Sequence, residues 1–224
     1  MQKNVKVIAH RSANNYKSAL MAVKSGADIL EGDVHMTKDG VLILHHTPYI
    51  QTNEKIYFSD NGLSCFKDIV TLEDMICLVK KEKKKLLLDV KVGKTFYSDI
   101  SRKIISIINQ MDAKEFVEII SFDHVCMEEL ILGDNEIKVG LMYVARLARL
   151  DLLLKELKPS FIEICADYLD DQAYEITKNN NVELYGWGTD DRDILLDYCN
   201  KGMSALTVND VNAARRLLDG IIQV

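Results

Sequence analysis

Apolar runs recur along this chain at regular intervals, and most of them stop abruptly at a charged or polar residue. They read VKVIAH from Val5, ADILEGDV from Ala27, VLILHH from Val41, LLLDVK from Leu86 and FVEIIS from Phe116. IKVGLMY from Ile137, SFIEICA from Ser160, VELYGW from Val182 and SALTV from Ser204 complete the series. Most lack the alternation of a half-exposed sheet and are apolar almost throughout, the pattern of strands buried on both faces. Segments with apolar positions at helical spacing separate most of them. TLEDMICLVKK from Thr71 opens on a Thr with Asp three residues on, close to a capping box, and DDRDILLDYCNKG from Asp190 ends on Gly202, a suitable C-cap.

Strands alternating with helices predict a parallel sheet. VLILHH departs from that rhythm, because only MTKDG separates it from the run before. It reads as a hairpin-like extra strand reached through a Lys-Asp-Gly turn. Setting it aside leaves eight strands each followed by a helix, so the expected fold is an α/β (β/α)8 TIM barrel with a small extra strand after strand 2, preferred to a doubly wound open sheet. No linker, repeat or low-complexity segment divides the chain, and residues 1–224 are expected to form a single barrel domain.

Composition narrows the function classes. A net charge of −6 argues against nucleic acid as the main partner. No apolar run reaches the roughly 18 residues of a membrane span. The start MQKNVKVIAHR has no apolar h-region, and the expected location is the cytoplasm. Five cysteines without CxxC spacing (Cys65, Cys77, Cys126, Cys165, Cys199) read as reduced thiols. The basic run Lys80–Lys85 closes a helical pattern and reads as a solvated helix terminus.

In a barrel, chemistry gathers at the C-terminal ends of the strands, and the polar interruptions fall there. His10 and Arg11 close the first strand; Glu31 and Asp33 close the second, two apart and therefore on one face; Asp89 and Lys91 do the same on the next barrel strand. Ser121 ends the fourth, Glu163 lies in the sixth and Trp187 ends the seventh. Like charges at Glu31 and Asp33 repel unless a cation or a proton relieves them. A hard divalent ion held by Glu31, Asp33 and Asp89 would do so, with positions left for water and a substrate oxygen. Arg11 has the planar fork to clamp two phosphate oxygens, and Lys91 supplies a compact positive charge, so the pocket suits an anion such as phosphate.

With those residues placed, the sequence resembles the glycerophosphodiester phosphodiesterase family over almost its full length. AHRS is similar to the family's His-Arg-Gly strand end, and GADILEGDVHMTKDGVLILHH to its Gly-Ala-Asp, Glu-x-Asp, Thr-x-Asp-Gly and histidine signature. VTLEDM followed by LLLDVK resembles its Thr-Leu-Glu-Glu helix and Glu-x-Lys strand, IISFDH its Ser-Phe strand end, LYGWGTDDRD its late Trp segment and GMSALTVND its closing strand. The resemblance implies a metal-dependent barrel hydrolase that splits a small-molecule glycerophosphodiester into glycerol 3-phosphate and an alcohol. It implies His10 and His46 as the acid–base pair, Glu31, Asp33 and Asp89 as ligands of Mg2+ or Ca2+, and Arg11 and Lys91 as phosphate contacts. His46 is preferred to His45 because it lies six positions after Gly40, as the family spacing requires. Trp187 is a candidate platform for the glycerol's apolar edge. Glu163 either contacts a head group or lines the barrel. His35 and His124 are expected to be surface or loop histidines.

The chain also departs from the family pattern. Ser12 stands where the family has Gly, Ala13-Asn14-Asn15 where it has Glu-Asn-Thr, Thr47 where Asp follows the histidine, Asp89 where Glu is usual, and Thr207-Val208 where it has Thr-Asp. The segment between His46 and Thr71 is short, which implies a reduced cap. The departures at Ser12, Ala13 and Thr47 motivate one rival function, a non-catalytic phosphodiester-binding barrel; a second rival keeps the site but lets the substrate's own hydroxyl attack to give a cyclic phosphate, as in lipase-D toxins that share this barrel.

Overall fold

The computed structural model describes residues 5–91 and 97–222. Among them are twelve strands: β1 (Lys6–Ala9), β2 (Ile29–Met36), β3 (Leu42–Leu44), β4 (Tyr49–Gln51), β5 (Lys55–Tyr57), β6 (Val70–Thr71), β7 (Lys85–Val90), β8 (Val117–Ile120), β9 (Lys138–Tyr143), β10 (Phe161–Cys165), β11 (Glu183–Trp187) and β12 (Ala205–Val208). The helices are α1 (Tyr16–Lys24), α2 (Leu72–Glu82), α3 (Ile100–Gln110), α4 (His124–Gly133), α5 (Leu150–Leu157), α6 (Asp171–Asn179), α7 (Arg192–Lys201) and α8 (Val211–Ile222). Strands β2, β7, β8, β9, β10, β11 and β12 pair in that order, all parallel. β1 joins both ends, with Ile8 opposite Thr207 on one side and Ile29 on the other, so the sheet closes. The fold is a (β/α)8 barrel.

All nine predicted strands are present. β3 runs antiparallel to β2, with His35 opposite Ile43, and the turn that reverses the chain places Gly40 at φ 79°, a conformation glycine adopts without steric cost. Thr71 and Asp74 form the capping box of α2, Asn15 caps α1 by accepting from the amides of Lys17 and Ser18, and Gly202 closes α7 in the left-handed conformation. The antiparallel pair β4–β5 and the short β6, which pairs with β3, were not predicted.

The barrel interior is packed by one residue from each of its eight strands: Ile8, Ile29, Leu87, Ile120, Met142, Phe161, Tyr185 and Ala205. A second, larger apolar layer lies between strands and helices. Below the inner layer, Glu118 is gripped by Lys85 (3.0 Å) and Lys138 (3.2 Å) and accepts from the Tyr185 hydroxyl at 2.8 Å, which closes the N-terminal end with paired charges. The basic run closes α2 as expected, with Lys81 and Lys83 exposed and Lys83 the left-handed C-cap, but its two ends are tied down. Lys85 is a strand residue tied to that floor, and the Lys80 ammonium donates to the carbonyls of Met111 (2.6 Å) and Asp112 (3.0 Å).

Strand side chains alternate between faces. Two positions past the inner layer, every strand therefore presents a residue to the barrel mouth. Those residues are His10, Glu31, Asp89, Phe122, Val144, Glu163, Trp187 and Thr207.

Candidate active site

Three carboxylates meet at the mouth. Glu31, Asp33 and Asp89, all buried, each offer an oxygen, and these lie within 4.8 Å of one another. The Lys91 ammonium, on the strand next to β2, sits 2.8 Å from Asp33 and also pairs with Asp89. One ammonium offsets one of three carboxylates, and the rest of the charge is visible in the proton affinities. Burial, with Asp33 alongside, pushes Glu31 well above the usual carboxylate range, and burial lifts Asp89 to about 6 despite Lys91. Burial also acts against ionised Asp33, but Lys91 and Asn14 hold it below its ordinary value. Lys91 is raised because Asp89 and Asp33 outweigh its own desolvation.

The chemistry of this donor set fits a hard divalent cation: three converging carboxylates, excess negative charge, and a buried Asp89 Oδ1 with no hydrogen-bond partner. Structure thus brings together the three residues named from the sequence as metal ligands and both charged residues of the Asp-x-Lys pair.

Local features hold the carboxylates in place. The Arg11 amide donates to Glu31 from a left-handed turn at φ 52°. Asn14 holds Asp33 twice, its side-chain amide donating to Oδ2 at 2.6 Å and its carbonyl oxygen accepting from the Asp33 amide at 2.8 Å. That contact explains the glycine of Glu-Gly-Asp. A Cβ on Gly32 would lie 2.8 Å from the Ala13 Cβ and 3.2 Å from Asn14 Oδ1, so only a bare backbone lets the turn approach β2. Ser12, in the family's glycine position, is buried and donates to the Ala9 carbonyl at 2.9 Å.

His10 stands exposed at the mouth, its Nδ1 2.8 Å from Asn209 Oδ1. Asn209 is itself oriented: its amide nitrogen and side-chain amide both donate to Asp190, each at 2.8 Å, which turns its Oδ1 to the histidine. An acceptor at Nδ1 fixes the tautomer of neutral His10 with hydrogen on Nδ1 and a free lone pair on Nε2. The sequence reading missed this Asp190–Asn209–His10 series; only the side chains' proximity across two loops reveals it.

His46 lies among Asp33, Arg11, Lys91 and His10, whose charges act on it, and burial with the neighbouring cations lowers its proton affinity against the pull of Asp33. Adjacent His45 turns away, its ring 5.4 Å from that of Phe58 and its Nδ1 2.8 Å from the Thr47 carbonyl oxygen. Thr47, where the family has Asp, donates to the Tyr49 carbonyl at 2.7 Å instead of serving His46.

Two histidines depart from expectation. His35 is fully buried, 3.1 Å from the Tyr97 hydroxyl, and burial lowers it to about 4, so it is a neutral core residue. His124 is half-buried and donates from Nε2 to the Met142 carbonyl at 2.8 Å. Glu163 is buried beside the mouth, accepts from Thr207 at 2.5 Å, and is lifted to about 7 by burial. Trp187 lies edge-on to Phe122 with ring centroids 6.0 Å apart, and its Nε1 is buried without a partner. Ser121 donates to the Val90 carbonyl at 2.6 Å and is structural.

Comparison with known proteins agrees with the motifs. A sequence model of the Glycerophosphoryl diester phosphodiesterase family matches residues 9–52, the span from His10-Arg11 through His46. A glycerophosphodiester phosphodiesterase of Caldanaerobacter subterraneus subsp. tengcongensis is 25% identical over 91% of this chain and 93% of its own. In three dimensions the chain resembles a glycerophosphodiester phosphodiesterase from Parabacteroides distasonis (TM-score 0.85, 22% identity, 100% of each chain). It also resembles an Oleispira antarctica phosphodiesterase in complex with sn-glycerol-3-phosphate (TM-score 0.86, 18% identity, 96% of each chain).

Proposed function

We propose that this chain, which resembles the glycerophosphodiester phosphodiesterase family in motif and in fold, is one barrel domain that hydrolyses a glycerophosphodiester to glycerol 3-phosphate and an alcohol. The observation that carries the reading is the convergence at one barrel mouth of a three-carboxylate cluster, a lysine and two separately positioned histidines. The glycerol 3-phosphate bound to the Oleispira relative supports the same substrate class.

Glu31, Asp33 and Asp89 would hold Mg2+ or Ca2+, which when bound polarises a phosphate oxygen and acidifies a coordinated hydroxyl or water. Arg11 and Lys91 balance charge on the phosphoryl oxygens. The His10 ring, tautomer fixed by Asn209, accepts a proton at Nε2. His46, on the β3 side, completes the acid–base pair. Trp187 would flank the glycerol's apolar edge, and Glu163, lifted by burial to about 7 and so only partly ionised near neutral pH, would contact the head group.

The test is release of glycerol 3-phosphate from a panel of glycerophosphodiesters with Mg2+, Ca2+ or chelator, beside His46→Ala. Metal-dependent release that falls at least ~100-fold in the variant, the scale of a lost proton-transfer group, supports the reading. Release unaffected by chelator, or by His46→Ala, contradicts it.

A further inference from the structure

Helices α3 and α4 pack side by side on the flank of the barrel, and their outer surfaces differ. α3 is amphipathic: Ile100, Ile104, Ile107 and Ile108 are buried, while Arg102, Lys103, Ser106 and Gln110 face solvent. α4, HVCMEELILG, carries apolar residues on every side. Cys126, Met127 and Leu130 are buried, but Val125 and Leu132, two turns apart, stand 61% and 80% exposed. Glu128 is exposed between them, so Val125, Glu128 and Leu132 make one outward stripe at i, i+3 and i+7. A helix apolar all round belongs in an interior, yet among the described residues no element of the chain covers that stripe.

A groove of about 400 Å3 runs between the two helices, with Arg102 and Ile105 on one bank and Leu132 and Gly133 on the other. Two contacts fix the relative height of the banks. The Ser101 hydroxyl donates to Glu129 at 3.3 Å, and α4 approaches so closely that a Cβ on Gly133 would lie 2.7 Å from Ile105 Cδ1. Arg102 therefore stands level with Glu128 along the helices. Its side chain is 88% exposed, with Asp99 one turn back at 3.8 Å.

We propose that this face docks a second copy of the chain about a two-fold axis running along the groove. Rotation about that axis keeps each residue's height and lays α3 of one copy on α4 of the other. Leu132 meets its symmetry mate near the axis, and Arg102 of each copy faces Glu128 of the other. The patch has an apolar centre with a cation on one side and an anion on the other at the same height, so it is complementary to itself. That balance of signs favours a second copy over a foreign protein, and Glu128 and Glu129 on the same face disfavour an anionic membrane. A patch two helices wide lies at the small end of specific interfaces, so the dimer is reversible.

Sedimentation velocity over a range of micromolar concentrations tests this independently of any turnover. The unaltered protein should move toward twice the 25.4 kDa chain mass as concentration rises. Leu132→Asp acts in both copies at once and should raise the dissociation constant at least ~100-fold. Arg102→Glu and Glu128→Arg should each weaken the dimer ~10-fold or more by placing like charges opposite, and the two reversals together should restore it. All three positions are exposed, so circular dichroism and melting of the isolated chain should be unchanged. A protein monomeric at every concentration overturns the proposal. A dimer indifferent to Leu132→Asp, or a double reversal no better than either single one, overturns it as well, because the copies would then meet through another face.

Discussion

Replacing Lys91 by Met removes the ammonium that bridges Asp33 and Asp89 and keeps most of the side chain's volume. The lysine is 24% exposed, and the carboxylates it serves are 1% and 5% exposed, so solvent replaces little of what is lost. Breaking a buried pair on one side costs roughly 3–5 kcal/mol, and the lysine's partial exposure argues for the lower end, about 3 kcal/mol at pH 8 without metal. For a chain of this length that is a fall in Tm of about 6–12 °C. Asp89 sets the pH dependence. Its folded-state value is already lifted above its ordinary one, to about 6, and losing Lys91 raises it further. The ionised Asp89 carboxylate is a burden that protonation removes, whereas Asp33, held below its ordinary value by Lys91, is still ionised at pH 5, so the variant's deficit should be partial near pH 5 and larger at pH 8. Millimolar divalent metal should return about 2.7 kcal/mol once it reaches a hundred times its dissociation constant. Denaturation followed by circular dichroism at pH 5 and pH 8, with chelator and with metal, reads all of this. A variant as stable as the unaltered protein at pH 8 in chelator, or a deficit independent of pH, would refute the reasoning.

Glu163→Gln keeps the acceptor for Thr207 and removes a carboxyl lifted by burial from 4.5 to about 7. A raised carboxyl costs stability as pH climbs through that interval, so the variant should gain about 3 kcal/mol over the unaltered protein between pH 4 and pH 8 in urea titrations. Asn14→Ala strips Asp33 of two hydrogen bonds; metal affinity by calorimetry should fall roughly 10–100-fold, with about 2 kcal/mol lost in stability. Asp190→Leu releases the Asn209 amide and with it the His10 tautomer. The expected result is a kcat reduced ~10-fold or more with KM little changed and a displaced pH profile; an unchanged kcat and profile would remove Asp190 from the mechanism.

Strand order and the carboxylate cluster were legible because both rest on local rules. Period-2 alternation puts Glu31 and Asp33 on one face, and it puts Asp89 and Lys91 on one face of the strand that pairs with β2. His35 shows where the rule needs more than the strand. It shares parity with Glu31 and Asp33, but its burial comes from Phe58, in the segment between β5 and α2, and from Tyr97, far along the chain. Neither cover follows from a local pattern. Asn14 and the Asp190–Asn209 pair were missed for the same reason: each acts on a residue from 19 to 199 positions away through a side chain with no motif of its own. Glu-Gly-Asp offered one usable signal, since a glycine inside a buried strand marks close approach of another backbone. Here that backbone is the turn carrying Asn14. The Phe122–Trp187 contact was half visible: Trp187 stood out at a strand end, but the approach of the two rings across two intervening strands appears only when the barrel closes.

Phosphorus NMR of a glycerophosphodiester incubated with the protein and Mg2+ or Ca2+ tests the central claim most directly, because it sees substrate, cyclic product and phosphomonoester separately. The account predicts that the diester signal gives way to glycerol 3-phosphate, that chelator stops the conversion, and that no cyclic phosphate persists. A stable cyclic phosphodiester would replace hydrolysis with attack by the substrate's own hydroxyl. An unchanged diester signal with every substrate and either metal would contradict catalysis and leave a binding protein.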